Sequence, residues 1–376
     1  MRYIILQNTI APYRTSLFNK LYEMGLDLKL YYMCEMEKNR SWKVDYNTFH
    51  FPYYVDEGKD IYLKGFTDHW NPKLIKMMRR EKGSTMVLGG SWNALNVIAI
   101  CILKRIGLVK QDIIFWSEAN YLTVGSRKRN RFRDWLRSFV FNTGKGKIIV
   151  PGKMAELSFE KWGITNKKFI RLPNVIEEEV VNPSFFVNRS FTAESELPHF
   201  IMPVRLNERI KGIMNFFNAI GPENVRKAIF DVLGNGDDEE LIRSYIKGNG
   251  YEDYIILRGF CNMETVVSYY KKNDVILLPS FSDPSPLSLV EGCCARMPIL
   301  ASNRCGNHYE TVEEGVNGYT FDPDNPQEMR KAFETMMKRR KEWKEMGEKS
   351  HAHFENNFKQ EVVLKNFINR LVESEG

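Results

Sequence analysis

Two cations stand close together in Val204-Arg205-Leu206-Asn207-Glu208-Arg209-Ile210-Lys211-Gly212. The apolar run before Arg205 puts it at the carboxyl end of a buried strand, and the stripe Ile213, Phe216, Phe217, Ile220 puts Lys211 at the opening of a helix. A cation there has the wrong sign for the helix dipole unless an anion shares the site. A forked guanidinium beside a point-charge ammonium suits a diphosphate. The plain alternative is two solvated cations in a loop.

A second cluster follows the apolar run Val275–Leu278, in Pro279-Ser280-Phe281-Ser282-Asp283-Pro284-Ser285-Pro286-Leu287-Ser288-Leu289-Val290-Glu291. Proline in a first turn predicts a helix starting near Ser285, with Asp283 or Ser285 as its cap. The amides of Ser285, Leu287 and Ser288 are then donors for a phosphate or sugar oxygen. Leu287, Val290 and Cys294 make an apolar stripe, and Glu291 falls on the same face. A carboxylate there needs a partner. Two ribose hydroxyls would satisfy both its oxygens; an internal salt bridge is the alternative, as a plain N-cap is for Asp283. A third segment, Cys305-Gly306-Asn307-His308-Tyr309-Glu310, opens another helix after Ile299–Ala301 and reads equally well as a structural turn.

The elements that must hold these residues alternate along the whole chain. Strands are expected at Arg2–Gln7, Leu26–Tyr32, Thr85–Gly89, Asp112–Trp116, Lys147–Val150 and Phe169–Leu172. They resume at His199–Val204, Ala228–Leu233, Tyr254–Leu257, Val275–Leu278, Pro298–Ala301 and Gly318–Phe321. Amphipathic helical stretches, among them Thr15–Met24, Pro72–Glu81, Trp92–Ile106 and Asn130–Phe141, fill the intervals. This rhythm predicts an α/β fold of two facing doubly wound, Rossmann-like domains with parallel sheets. The aperiodic stretch Asn174–Pro198 reads as the linker, giving domains 1–177 and 178–354. The tail 355–376, with Val363, Phe367 and Leu371 at helical spacing, should pack back on the first domain. Sites in such sheets lie beyond the carboxyl ends of the strands.

Composition narrows the chemistry. The 376 residues are 43% hydrophobic and 27% charged, a globular balance too large for one ordinary domain. The best apolar run, Ala94–Leu103, contains Asn96 and meets Lys104 and Arg105, so no membrane span is expected. The start, Met1-Arg2-Tyr3-Ile4-Ile5-Leu6, reads as a strand rather than an export signal, which places the protein in the cytoplasm. The six cysteines form no CxxC pair and the six histidines are dispersed, so no metal site is expected. There is no GxxxxGK[ST] loop, GxSxG elbow or HExxH. Gly234-Asn235-Gly236 lacks a third glycine and runs into Asp237 and Asp238, which disfavours a dinucleotide enzyme.

The spacing Asp283-x7-Glu291, the pair Arg205-x5-Lys211, Gly234-Asn235-Gly236, Arg258-Gly259-Phe260 and Gly315-Val316-Asn317-Gly318 together resemble the retaining GT-B glycosyltransferases of family GT4. The first half is similar through Asn8-Thr9-Ile10-Ala11-Pro12-Tyr13-Arg14 and Pro173-Asn174-Val175. The resemblance implies a GT-B fold and transfer of a sugar from a nucleotide diphosphate sugar, with retention at the anomeric carbon and without a metal ion or other cofactor. It implies Arg205 and Lys211 on the diphosphate, Glu291 on the ribose, Asp283 toward the sugar, and Gly234, Phe260, Ser285, Leu287 and Ser288 around the donor. Two departures stand out: Asp283 replaces the usual glutamate, and Pro284 and Pro286 replace glycines. On the acceptor side the family's usual histidine is absent, and Glu118, in Trp116-Ser117-Glu118-Ala119, takes a comparable place as a catalytic or purely structural carboxylate.

The segment Arg127–Arg137 carries six cations, with Phe132, Trp135, Leu136 and Phe139 on one helical face. It fits an anionic membrane surface or a lipid-linked acceptor; the alternative buries its aromatics in the core. No companion motif points to nucleic acid. The leading expectation is therefore a cytoplasmic, peripheral hexosyltransferase of polysaccharide or glycolipid synthesis. A non-catalytic nucleotide-sugar-binding relative and a sugar phosphorylase are the alternatives.

Overall fold

The computed structural model describes residues 1–36, 44–63, 66–123, 130–144 and 146–373. In the first half, strands β1 (Arg2–Gln7), β2 (Leu28–Tyr32), β3 (Tyr53–Val55), β6 (Ser84–Leu88), β7 (Asp112–Trp116), β8 (Lys147–Val150) and β9 (Lys168–Arg171) form one sheet. A separate antiparallel hairpin pairs β4 (Lys59–Leu63) with β5 (Phe66–Trp70). The sheet order is β3-β2-β1-β6-β7-β8-β9, and every pair is parallel. The second half builds β10 (His199–Pro203), β11 (Ile229–Leu233), β12 (Ile255–Gly259), β13 (Val275–Leu278), β14 (Ile299–Ser302) and β15 (Gly318–Phe321) into the order β12-β11-β10-β13-β14-β15, again parallel. Central strands such as β6 and β13 are buried along their whole length, because helices cover both faces.

Each sheet reverses its strand order once, between β1 and β6 and between β10 and β13. A crevice opens beyond the carboxyl ends at such a point. In the first domain, helices α1 (Pro12–Glu23), α2 (Pro72–Arg80), α3 (Leu95–Arg105), α4 (Arg131–Phe141) and α5 (Lys153–Lys161) flank the sheet.

The strands β3, β4 and β5 were not expected. β3 is a three-residue edge strand, and KDIYL and FTDHW lack a buried apolar run, so neither period nor hydrophobicity announces them. The stretch after Asn174 also differs from a bare linker. Val175 is buried in the first domain's core, while Ile176, Val181 and Phe186 are buried in the second's. The chain therefore crosses between adjacent residues and then packs.

It crosses back near the end. Phe358 closes the second core, and helix Gln360–Glu373 buries Val363, Leu364, Phe367 and Leu371 against Leu17 and Leu21 of α1. Residues 355–357 finish the preceding helix, Trp343–Asn357, so the returning helix begins later than the tail boundary at 355. Four buried apolar side chains, each worth about 1.5–3 kcal/mol, tie the two domains through one short crossing.

Candidate functional site

The loops after β10 and β13 meet at the switch point of the second sheet. Lys211 ends a single helical turn, Glu208–Lys211, and Gly212 follows with φ 62°. A Cβ at Gly212 would sit 3.0 Å from the Pro279 carbonyl and 3.1 Å from the Phe281 ring, so glycine lets the loops touch. The amides of Phe281 and Ser282 both donate to the Ile210 carbonyl, at 2.8 and 3.2 Å. That contact brings Lys211 Nζ to 2.5 Å from Asp283 Oδ2, with both side chains largely buried.

Asp283 is thus a counter-ion for Lys211 and caps no helix. The helix begins at Leu287 rather than near Ser285, with Pro286 at its N-cap and no side-chain cap bond from Asp283 or Ser285. The expectation that an external anion must share the helix start beside Lys211 is also overturned. Helix Ile213–Ile220 is capped by Glu208, whose carboxylate accepts the Met214 and Asn215 amides at 3.0 Å each. Burial pushes the Glu208 carboxyl up, and those amide bonds pull it back. A glutamate one turn before an apolar helix was the available signal for this residue.

Arg205 has a side chain 44% exposed and lies 3.5 Å from Asp237 Oδ2. Its backbone is clamped by the Gly234-Asn235-Gly236 loop: the Leu206 amide donates to the Asn235 carbonyl at 3.0 Å. A Cβ at Gly234, where φ is 133°, would fall 2.1 Å from the Val204 carbonyl oxygen, and one at Gly236 2.3 Å from that of Leu206. The structure thus gives Gly234 a packing role that aims Arg205. Phe260, after β12, is 75% exposed at the same sheet edge.

Glu291 differs from its expected setting. The buried face of its helix is Leu289, Val290, Cys293 and Cys294, while Leu287 and Glu291 are half-buried at its margin. One carboxylate oxygen, Oε2, accepts from the buried Tyr270 hydroxyl at 2.5 Å. A neutral hydroxyl, and neither a ribose pair nor a salt bridge, occupies that oxygen; burial pushes the Glu291 carboxyl up against this bond. The amides of Leu287 and Ser288 open the helix, where no preceding turn supplies acceptors. The Cys305–Glu310 segment braces this loop. Asn307 Nδ2 donates to the Pro286 carbonyl at 2.9 Å, and the Gly306 amide to that of Asp283 at 2.8 Å.

Pro284 of this loop lines a cavity of about 520 Å³ whose other walls come from the first domain, including Asn8, Tyr13, Trp92, Trp116, Glu118 and Trp162. Asn8, Tyr13, Trp92 and Glu118 follow β1, β6 and β7, at the first sheet's switch point; Trp116 ends β7 and Trp162 ends α5. Glu118 Oε1 accepts from Arg14 Nη2 at 2.6 Å and Asn174 Nδ2 at 3.0 Å. The Arg14 guanidinium lies 4.3 Å from the Trp116 ring centre. Three separate sequence segments therefore converge on one carboxylate. Those two donors hold Glu118 through one oxygen, Oε1. Gly89-Gly90 was overlooked: Gly90 has φ 81°, and a Cβ there would meet Asn8 Oδ1 at 2.2 Å. Trp92 and Trp162 were also missed. The buried Arg137 guanidinium stacks behind them, 5.1 and 3.9 Å from their ring centres.

On the other face of α4, Phe132 is 68% and Trp135 60% exposed. The core-facing alternative is overturned for Phe132 and Trp135, while half-buried Phe139 packs against the core; Arg137, Val140 and Phe141 face inward. Phe132, Trp135 and Phe139 stack in series at 5.9 and 5.8 Å, and Arg105 covers Phe139. Arg127, Lys128 and Arg129 lie outside the described residues.

Residues 187–353 match the family model of the glycosyl transferases group 1. The matched span takes in most of the second domain, which is similar to that family. An uncharacterized glycosyltransferase of Haemophilus influenzae is 26% identical over 67% of this chain and 68% of its own length. The GtfA subunit of the UDP-N-acetylglucosamine–peptide N-acetylglucosaminyltransferase of Streptococcus agalactiae is 31% identical, over 31% of this chain and 23% of its own length. Among solved structures, sucrose-phosphate synthase from Thermosynechococcus elongatus superimposes with a TM-score of 0.74 at 13% identity, covering all of both chains. HepE from Anabaena, solved with UDP, gives 0.72 at 13% identity over 99% of this chain and 100% of its own. The two-domain α/β architecture expected from the sequence is the GT-B fold of these glycosyltransferase structures.

Proposed function

We propose that this protein is a retaining glycosyltransferase that moves a hexosyl group from a nucleotide diphosphate sugar to a glycan or lipid-linked acceptor. The observation that carries the reading is the junction of Arg205, the Lys211–Asp283 pair and the Leu287–Ser288 helix start, all at the second sheet's switch point. Pro284 joins that junction to the inter-domain cavity. Arg205 and Lys211 would stabilise the diphosphate as the anomeric C–O bond breaks, and the donor takes over the ammonium that Asp283 holds in its absence. The acceptor oxygen replaces the diphosphate on the same face, the stereochemistry implied by the resemblance to GT4. Glu291 Oε1 is the oxygen left for a ribose hydroxyl, and Phe260 offers a face to the base.

The two cations supply the counter-charge that a metal ion would otherwise bring, so transfer is expected to run in EDTA. Glu118 Oε2 and the tryptophan walls suit a neutral sugar acceptor, which offers hydroxyls and apolar C–H faces. The stacked aromatics of α4, flanked by exposed Arg105, Lys110 and Arg131 and by exposed Ile102, Ile106 and Leu108, fit an anionic bilayer. Among the described residues no helix is long and apolar enough to cross a membrane. That surface supports peripheral attachment at the cytoplasmic face and a lipid-linked acceptor of polysaccharide or glycolipid synthesis.

The deciding experiment is a thermal-shift screen of nucleoside diphosphates and nucleotide sugars. A ligand that binds only the native state raises Tm, by about 2.7 kcal/mol of stability at a hundredfold excess over Kd. Stabilisation by one diphosphate, lost in Lys211→Ala, supports the reading; no response to any of them sinks it.

A further inference from the structure

A second cluster of reactive side chains lies at the carboxyl edge of the first sheet, beyond β2. Cys34 Sγ is 3.3 Å from His69 Nε2, and His69 Nδ1 is 3.0 Å from Asp60 Oδ1. Asp60 and His69 are direct partners across the β4–β5 hairpin. If Nδ1 carries its proton toward the carboxylate, Nε2 presents a lone pair to the thiol. This is the order nucleophile, base, orienter that activates a weak nucleophile.

The hairpin backbone is anchored at His69. Asn96, wholly buried, donates to the His69 carbonyl at 2.9 Å, and the His69 amide donates to Asp68 Oδ1 at 2.8 Å. Asn71, also wholly buried, donates to the Met33 carbonyl at 2.9 Å, fixing the chain just before Cys34. Among the described residues, Asp60 is the carboxylate in direct contact with the His69 ring. A thiol in hydrogen-bond reach of an imidazole that a carboxylate orients has a place to leave its proton when it attacks.

We propose that Cys34 is a covalent modification site: a thiol ionised by His69 that reacts with small soft electrophiles. Among the cysteines, Cys101, Cys293, Cys294 and Cys305 are buried, and burial pushes their thiols up. Cys261 shares the partial exposure of Cys34, yet burial pushes its thiol up too. The Cys34 amide donates to the Asn8 carbonyl at 3.0 Å, and Sγ lies 3.5 Å from the same oxygen. Asn8 lines the inter-domain cavity, so an adduct on Sγ presses on the cavity wall.

With iodoacetamide, the thiolate sulfur attacks the methylene carbon. The S–C bond forms as the C–I bond breaks, iodide leaves with its electron pair, and the thiol proton rests on His69 before passing to water. The test is site-resolved mass spectrometry of alkylation rates between pH 6 and 9, with Cys261 as internal reference. Cys34 should react at pH 6 at least about tenfold faster than Cys261, with a midpoint below the ~8.5 of a free thiol. His69→Gln should return the midpoint to that of an ordinary thiol, and Asp60→Asn should move it part of the way. An ordinary thiol profile for Cys34 in the parent protein overturns the proposal even if neither variant folds. So does a folded His69→Gln variant that matches the parent. The readout is thiol chemistry alone, so its failure leaves the glycosyltransferase reading untouched.

Discussion

The two sheets share one topology and differ at the edge where each reverses its strand order. At the second sheet the charges hold one another: Lys211 on Asp283, Arg258 on Asp231, and Glu208 on two helix amides. At the first sheet the edge is an aromatic wall, with Glu118 and Arg14 as its central ion pair. A site that keeps cations paired until a ligand arrives suits an anion. A wall of tryptophan faces around one neutralised carboxylate suits an uncharged, hydroxyl-rich ligand. On the proposed function, the same scaffold would sort two chemistries by what its loops carry.

The largest effect should come from breaking the charged edge. Lys211→Ala removes a charge-assisted contact worth about 1.5–3 kcal/mol, roughly a ten- to hundredfold loss in nucleotide diphosphate affinity, and leaves Asp283 unpaired. Asp283→Asn should act the other way on binding, because Lys211 no longer has to leave a carboxylate. Titration calorimetry with one diphosphate distinguishes these outcomes. If both variants weaken binding equally, the pair acts as a single structural unit and the parked-cation idea fails.

The neutral edge should respond more mildly and in a different measurement. Trp92→Ala should raise the acceptor KM by several fold, about 1 kcal/mol for a lost stacking face, and leave nucleotide affinity alone. Its readout is a matched pair of acceptor and donor titrations. A drop in nucleotide affinity alone would place Trp92 on the donor side and dissolve the contrast between the edges.

The outer face of α4 tests whether the neutral edge works beside a membrane. Neutralising Arg131 and Arg133 should weaken sedimentation with anionic vesicles by roughly 1 kcal/mol per charge, more visibly at low salt. Phe132→Ser with Trp135→Ser should abolish the remaining attachment without unfolding, since both rings are exposed. Equal sedimentation of the parent and both double variants would leave α4 an ordinary surface helix.

How much of this could be read from sequence depends on where each signal resides. The buried parallel strands were legible because β1, β7, β8 and β13 carry continuous apolar runs with sharp ends. The β4–β5 hairpin was not, because its stability comes from pairing and from buried Asn71 and Asn96 rather than from a hydrophobic period. Arg205, Lys211, Asp283 and Glu291 were found by type and spacing, but their partners were not. Tyr270 lies 21 residues before Glu291, and Asp283 lies 72 residues after Lys211, distances over which periodicity carries no information. Glu118 was singled out, yet its holders Arg14 and Asn174 had been noticed only as fragments of motifs. Contacts between chemistry-bearing residues far apart in the chain are what folding adds.

The smallest effect concerns the join between the two edges. Glu310 of the second domain accepts the Lys153 amide at 2.7 Å and so caps α5 of the first; a Cβ at Gly152 would lie 2.6 Å from the same carboxylate. Burial pushes the Glu310 carboxyl up, partly offset by the Lys153 amide and the charge of Arg171. A raised carboxyl holds its proton more tightly in the folded protein than in the unfolded chain. Its effect on stability is therefore nil below the ordinary carboxylate range, and stability declines as pH rises through the raised value. Glu310→Gln keeps an acceptor for the Lys153 amide and cannot ionise. The variant should melt with the parent at pH 4 and slightly above it at pH 7, and a scanning calorimeter reads both. A variant less stable than the parent at pH 7 would mean that the charge on the α5 dipole outweighs its burial, making Glu310 an electrostatic latch between the two edges.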